Sequence, residues 1–202
     1  MLVDVGRSVY NAGMNSDKQS FASLPPRERI LVAAHDLFYS EGIRATGVDQ
    51  IINRSSVSKV TFYRQYGSKD DLIRAYLYYR HQGWMSWFKS SLLQEISGGS
   101  SAADALLRTL KGWFSQPNFR GCAFLNAAAE LGSTDPEILK VVRQHKQEVA
   151  GVLDELFGSH AVSAGQPLSL AVDGAIVHVQ MGQPIDDVLG NFKALVEKIV
   201  DK

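Results

Sequence analysis

Five histidines, one cysteine and three adjacent acid pairs are the groups in this 202-residue chain that most often carry chemistry. His35, His81, His145, His160 and His178 stand far apart, with no HExxH and no clustered Cys/His spacing, so no metal ligand set is expected. Asp70/Asp71, Asp154/Glu155 and Asp186/Asp187 are sequence neighbours and point to different faces of a helix, which suits capping or solvated roles. GxSxG, Walker and GxGxxG patterns are all missing, so neither a catalytic residue nor a cofactor is expected. Cys122 cannot form an intrachain disulfide, and a reducing cytoplasm is the natural setting. Beside Gly121 it is either an oxidant-sensing thiol or, as is commoner among neighbours such as Ala123, Phe124 and Leu125, a small buried hydrophobe. What remains is a set of donors. Lys59, Thr61, Tyr63 and Arg64 are spaced to share the outer face of one short helix, and such a face can enter a major groove.

Net charge is zero, yet it is unevenly spread. Residues 27–69 hold seven basic against four acidic groups, whereas residues 121–202 hold six against eleven. A mildly basic first part suits a polyanion partner. No apolar run reaches the ~18 residues of a bilayer span, so no membrane partner is expected.

The elements that must position the donors follow from period and punctuation. Residues 1–23 show no period and are expected to form a flexible tail. Pro25-Pro26 opens a helix whose apolar face is Ile30, Ala33, Ala34, Leu37 and Phe38, closed by Gly42. Thr46 is placed to cap a second helix, with Asp49 as capping-box partner and Val48, Ile51 and Ile52 as its core face. Ser58 caps a third, from Lys59 to Tyr66, with Val57 and Phe62 inward. Ser68 caps a fourth running from Lys69 to about Ile96, and its Asp70 and Asp71 suit the positive end of the helix dipole. Further helices are expected near 102–114, 121–132, 136–157, 167–181 and 185–200, giving an all-α chain of about nine helices. Thr46, Ser58 and Lys69 would then stand at three helix N-termini, where backbone N–H groups and side-chain donors grip phosphates. Three short helices with a tight turn between the second and third describe a helix-turn-helix module.

The stretch LVAAHDLFYSEGIRATGVDQI, followed by VSKVTFYRQY and GSKDDL, resembles the DNA-binding region of the TetR family of bacterial transcriptional regulators almost without a gap over residues 28–77. The resemblance implies a helix-turn-helix domain at 24–69 and a ligand-binding and dimerisation domain at 70–202. It also implies a homodimer, a double-stranded DNA operator, a small-molecule effector and no enzymatic activity. Carried over residue by residue, it implies base-edge contacts for Lys59, Val60 and Arg64. Thr46, Ser58, Thr61, Tyr63, Tyr66 and Lys69 are implied at or near the phosphate backbone. Two positions depart from the family pattern: Ser56 replaces the usual turn glycine, and Gln65 a frequent histidine.

In the second part, Trp84, Phe88, Trp113 and Phe124 are expected to line an apolar cavity, with Asn126 and His145 as polar anchors. GCAFLNAAAEL (121–131) resembles a regulatory-domain helix found in part of the family; Asn126 and Glu130 there either anchor a ligand or bond to neighbouring helices. Ile185, Val188, Leu189, Phe192, Leu195, Val196, Ile199 and Val200 form an apolar stripe. With the nearly all-apolar segment from Leu170 to Val179, that stripe is expected to pair with a second copy. The function expected is a repressor released by a small hydrophobic or aromatic effector. The alternatives are a DNA-binding dimer regulated by a protein partner or by Cys122 oxidation, and a small all-α enzyme using the aromatic cavity.

Overall fold

The computed structural model describes residues 18–158 and 164–200. Ten helices and no strand occur among them. The first, α1 (Lys18–Ser23), lies inside the segment expected to be a tail. Phe21 packs against the core and gives this short turn a reason to order. Residues 1–17 and His160 lie outside the described residues.

Three helices make the N-terminal module: α2 (Pro26–Glu41), α3 (Val48–Ser55) and α4 (Lys59–Gln65). Pro26 starts α2 where its missing N–H costs nothing, and Ile30, Ala33, Ala34 and Phe38 are buried on one face. The α3 cap is Gly47 rather than Thr46: the Gln50 side chain accepts from the Gly47 N–H at 2.6 Å, and Thr46 turns inward. Ser56 ends α3 with φ 52° and ψ 45°, the only non-glycine residue with positive φ among those described. The turn therefore holds a serine in a conformation that costs an L-residue roughly 1–2 kcal/mol. Ser58 caps α4 as expected, accepting from Thr61 N–H at 3.1 Å. Phe62 is fully buried and pins α4 to the core; truncating such a ring to alanine costs about 3–5 kcal/mol.

The fourth expected helix is α5 (Lys69–Ser97), which at 1.5 Å per residue is about 43 Å long. Its first half packs on α2, and its length also meets α6 (Ala102–Phe114), α7 (Ala123–Leu131) and α8 (Pro136–Phe157). One helix thus belongs to both parts of the molecule. The remaining helices are α9 (Gly165–Gln180), packed between α8 and α10, and α10 (Ile185–Val200), which also lies on α6. Gly165 must be glycine, because a Cβ there would run into the Ala150 carbonyl oxygen and the Asp154 carboxylate. Half of the α10 stripe is covered by the chain itself, while Leu195 stays exposed. Val188, Leu189, Phe192 and Val196 are buried within the chain itself, which uses them to close α10 onto its own neighbours.

Candidate nucleic-acid interface and aromatic cavity

Helix α4 presents Lys59, Val60, Tyr63 and Arg64 to solvent, at i, i+1, i+4 and i+5. Val60 is 77% exposed, an apolar group on an otherwise polar face. The Lys59 ammonium is 3.5 Å from the Asp49 carboxylate, both well exposed, so this pair is readily exchanged for another partner. The Ser58 and Thr61 hydroxyls meet at 2.9 Å at the α4 N-terminus. Of the nine DNA-contact candidates, Lys59, Val60, Tyr63 and Arg64 share the exposed face of α4, and Ser58 and Thr61 stand at its N-terminus.

The other three are used internally. Thr46 is 0% exposed, and its hydroxyl donates to the Gly42 carbonyl at 2.7 Å. Tyr66 is 3% exposed; its hydroxyl donates to the Arg27 carbonyl at 3.3 Å. The Arg27 guanidinium covers the Tyr66 ring at 4.5 Å and donates to the Gln65 carbonyl at 2.6 Å, tying the end of α4 to α2. The Lys69 ammonium donates to the Ile43 carbonyl at 2.6 Å rather than pointing outward. Burial pushes its pKa down despite the nearby Asp70 and Glu130 carboxylates. Thr46 and Tyr66 are buried inside the module, and the half-buried Lys69 spends its ammonium on the Ile43 carbonyl.

The aromatic residues form one cluster. Trp84 stacks on Phe88 with centroids 4.7 Å apart and meets Trp113 at 5.3 Å; Phe124 stacks on His145 at 3.6 Å. Arg80, Trp84, Trp113, Cys122, Ala123, Phe124 and His145 enclose a void of about 10 Å³, room for about one water molecule. Phe88 backs Trp84 instead of lining the void. Burial, with Lys146 and His81 adding to it, lowers the His145 pKa to about 2, so its imidazole is neutral. It meets His81 Nδ1 at 3.0 Å, and His81 in turn reaches Glu148 at 3.1 Å.

Asn126 is not an anchor in this cavity. Its amide donates to the Arg120 carbonyl at 2.9 Å and accepts from Gln180 at 3.2 Å, sealing α7 against the end of α9. Glu130 turns the other way and accepts from the Arg44 backbone N–H at 2.8 Å, across to the α2–α3 corner. Cys122 is buried as the N-cap residue of α7, with the Lys146 ammonium 3.5 Å from its sulfur. Lys146 also pairs with Asp173.

Two residues escaped the sequence reading because nothing in their spacing marks them. Tyr39 on α2 donates to the Gly121 carbonyl at 2.9 Å and accepts from Arg120 N–H at 3.0 Å. The Arg80 guanidinium lies 3.7 Å from the Tyr39 ring centroid, donates to His35 at 3.0 Å and reaches the void. His35 stays neutral because burial lowers its pKa, against the raising effect of Asp36. The cavity wall and α2 thus share side chains.

A family model described as bacterial regulatory proteins, tetR family, matches residues 30–76, the span from α2 into α5. A TetR-family transcriptional regulator from Streptomyces coelicolor is 32% identical, with 87% of this chain and 94% of that one covered and a TM-score of 0.72. This chain belongs to the TetR family. An HTH-type transcriptional regulator in the lacX 3′ region of Lactococcus lactis is 22% identical, covering 87% of this chain and 95% of its own length. CifR, solved with a 26-bp double-strand operator DNA, is 17% identical with a TM-score of 0.67, covering 85% of this chain and 95% of that one, and shares its fold. The chain is therefore a TetR-family transcriptional regulator with a helix-turn-helix DNA-binding domain, and not an enzyme. No helix among the described residues of this TetR-family member is long and apolar enough to cross a membrane. Nor do those residues hold a cluster of three potential metal ligands.

Proposed function

We propose that this protein is a cytoplasmic, homodimeric repressor that leaves its operator when a small hydrophobic or aromatic effector enters the Trp84–Trp113–Phe124–His145 cluster. Residues 24–69 read the operator and residues 70–202 bind the effector and the second copy. Lys59, Val60 and Arg64 face base edges; Ser58, Thr61 and Tyr63 hold phosphates. Val60 suits a thymine methyl, and Arg64 suits guanine O6 and N7.

The observation that carries the reading is the joint at Tyr39 and Arg80. Arg80 lines the void and covers Tyr39, and Tyr39 is hydrogen-bonded to the Arg120–Gly121 backbone beside Cys122. Any ligand that widens the void presses on a contact with α2, the helix that carries the DNA-reading pair. A coupling of about 1–3 kcal/mol is the usual size for such a link. The partner face is supported by an apolar strip along α9 and its C-cap, where Leu170, Val177 and Met181 stand exposed with Leu195 of α10. Self-pairing of such a strip by a two-fold axis covers it on both copies.

The test is a titration of operator DNA, taken from the intergenic region beside the coding sequence, with and without aromatic compounds that quench tryptophan fluorescence. The effector should weaken operator binding by the same factor that operator weakens effector binding. Tight ligands that leave operator affinity untouched would refute the regulatory role of the cavity.

A further inference from the structure

The void has a chemical bias that narrows what it can hold. Arg80 supplies a permanent guanidinium cation with donors in a planar fork, and it is 7% exposed. Trp84, 5% exposed, lines the same void, and its indole Nε1 is buried without a hydrogen-bond partner. An indole N–H can only donate. His145 is neutral, with one ring nitrogen turned to His81, and the Cys122 sulfur accepts from Lys146. No carboxylate lies on this wall. The lining therefore offers a cation and an unmatched donor between aromatic faces, a complement for an acceptor that bears negative charge.

We propose that this site takes aromatic monocarboxylates, the ring between Trp84, Trp113 and Phe124 and the carboxylate on Arg80 and the Trp84 N–H. The proposal rests on the effector-release reading above and names the ligand class for the same cavity. A void of about 10 Å³ admits a ring only if part of the wall moves. Most of that wall is helix. The exception is the non-helical stretch at 115–122, which reaches the void through Cys122. Displacing it pulls on the Gly121 carbonyl that Tyr39 holds. Entry and release of α2 are then one movement. A carboxylate on Arg80 also competes for the guanidinium that now donates to His35 and covers Tyr39.

The experiment compares 1-naphthoate with 1-naphthamide, which have the same shape and differ in charge, by equilibrium dialysis against the full chain. The acid should bind at least about tenfold more tightly than the amide, as expected for a charge-assisted pair in a dry site. Arg80→Gln should remove that preference, lowering acid affinity about tenfold and leaving the amide within about twofold. Trp84→Phe, which keeps the aromatic body, should weaken the acid more than the amide, whose carbonyl accepts the same N–H less strongly, and it serves if the Arg80 variant does not fold. Equal affinity for both compounds, or no binding of either, overturns the proposal. Operator titrations on the same samples separate the two readings. Operator release by the amide as readily as by the acid sinks the carboxylate site and leaves the repressor reading standing. Preferential acid binding without operator release does the reverse.

Discussion

Glu130 of α7 accepts the backbone N–H of Arg44 at 2.8 Å, joining that helix to the corner between α2 and α3 across 86 residues of sequence. The Lys69 ammonium holds the adjacent Ile43 carbonyl at 2.6 Å. The corner that sets the angle of the DNA-reading pair is thus gripped from α7 and from α5 at once. Glu130→Ala should cost about 1 kcal/mol, less than is usual for a charged acceptor because the bond is exposed. The same substitution should shrink the effect of an effector on operator affinity. Urea unfolding and paired operator titrations measure both, and an undiminished effector response would show that α7 does not transmit it.

Lys69 and Arg64 should now behave differently. Arg64 is exposed on α4, so Arg64→Ala should cost about 1–3 kcal/mol on the preferred operator and relax specificity at one position. Lys69→Met should lower module stability by about 1 kcal/mol through its lost bond to Ile43. The salt dependence of operator binding should stay as in the parent, because the ammonium is directed inward. A flattened salt slope for Lys69→Met would return that residue to the phosphate backbone.

Ser56 pays for its left-handed turn conformation, φ 52°, between α3 and α4. Ser56→Gly relieves the strain and gives back part of the gain through a more flexible unfolded chain. A net stabilisation of about 0.5–1 kcal/mol is expected. A higher urea midpoint with unchanged slope would show it; a lower midpoint would mean that the serine side chain makes up for the strain.

His145 makes the protein sensitive to acid. Its folded pKa of about 2 lies below the ordinary histidine value of 6.5, so below pH 6.5 the unfolded chain takes up a proton that the folded chain refuses. Stability is therefore complete above pH 6.5 and falls as the pH drops, by up to about 2 kcal/mol at pH 5 from this group. His35, also lowered by burial, acts in the same direction. His145→Leu should remove about one proton from the slope between pH 6.5 and 5. Unfolding curves at several pH values decide it, and an unaltered slope would place the acid sensitivity elsewhere.

Val177 lies on the exposed strip between Leu170 of α9 and Met181 at its C-cap. Val177→Glu puts a charge at the centre of the proposed two-fold contact and should give monomers with weakened operator binding. Light scattering reads the mass directly. A one-chain mass for the parent protein would rule out the dimer.

Much of the architecture could be read from the chain itself because it is encoded locally. The expected helices at 102–114, 136–157 and 185–200 have the observed bounds. In each, the cues act within a few residues: Ser101 and Asp135 cap, Pro136 opens a first turn, and apolar groups recur with helical period. The solvent-facing donors of α4 were legible for the same reason, since a seven-residue helix pinned by Phe62 leaves its other side outward. Tertiary structure alone decided where polar side chains on helices find their partners. Thr46, Tyr66 and Lys69 have the residue types of phosphate contacts, but each is within reach of a carbonyl that local pattern does not mark as a partner. Asn126 and Glu130 are one turn apart on α7, and one closes on the end of α9 while the other reaches the α2–α3 corner. Which stripe of α10 faces its own core was likewise undetermined, because an apolar period reports that a face is covered and not by what. The joint of Tyr39, Arg80 and Gly121 gathers residues 82 positions apart in sequence at its widest. Its existence depends on how α2, α5 and the loop before α7 converge, a matter of packing that no local spacing records.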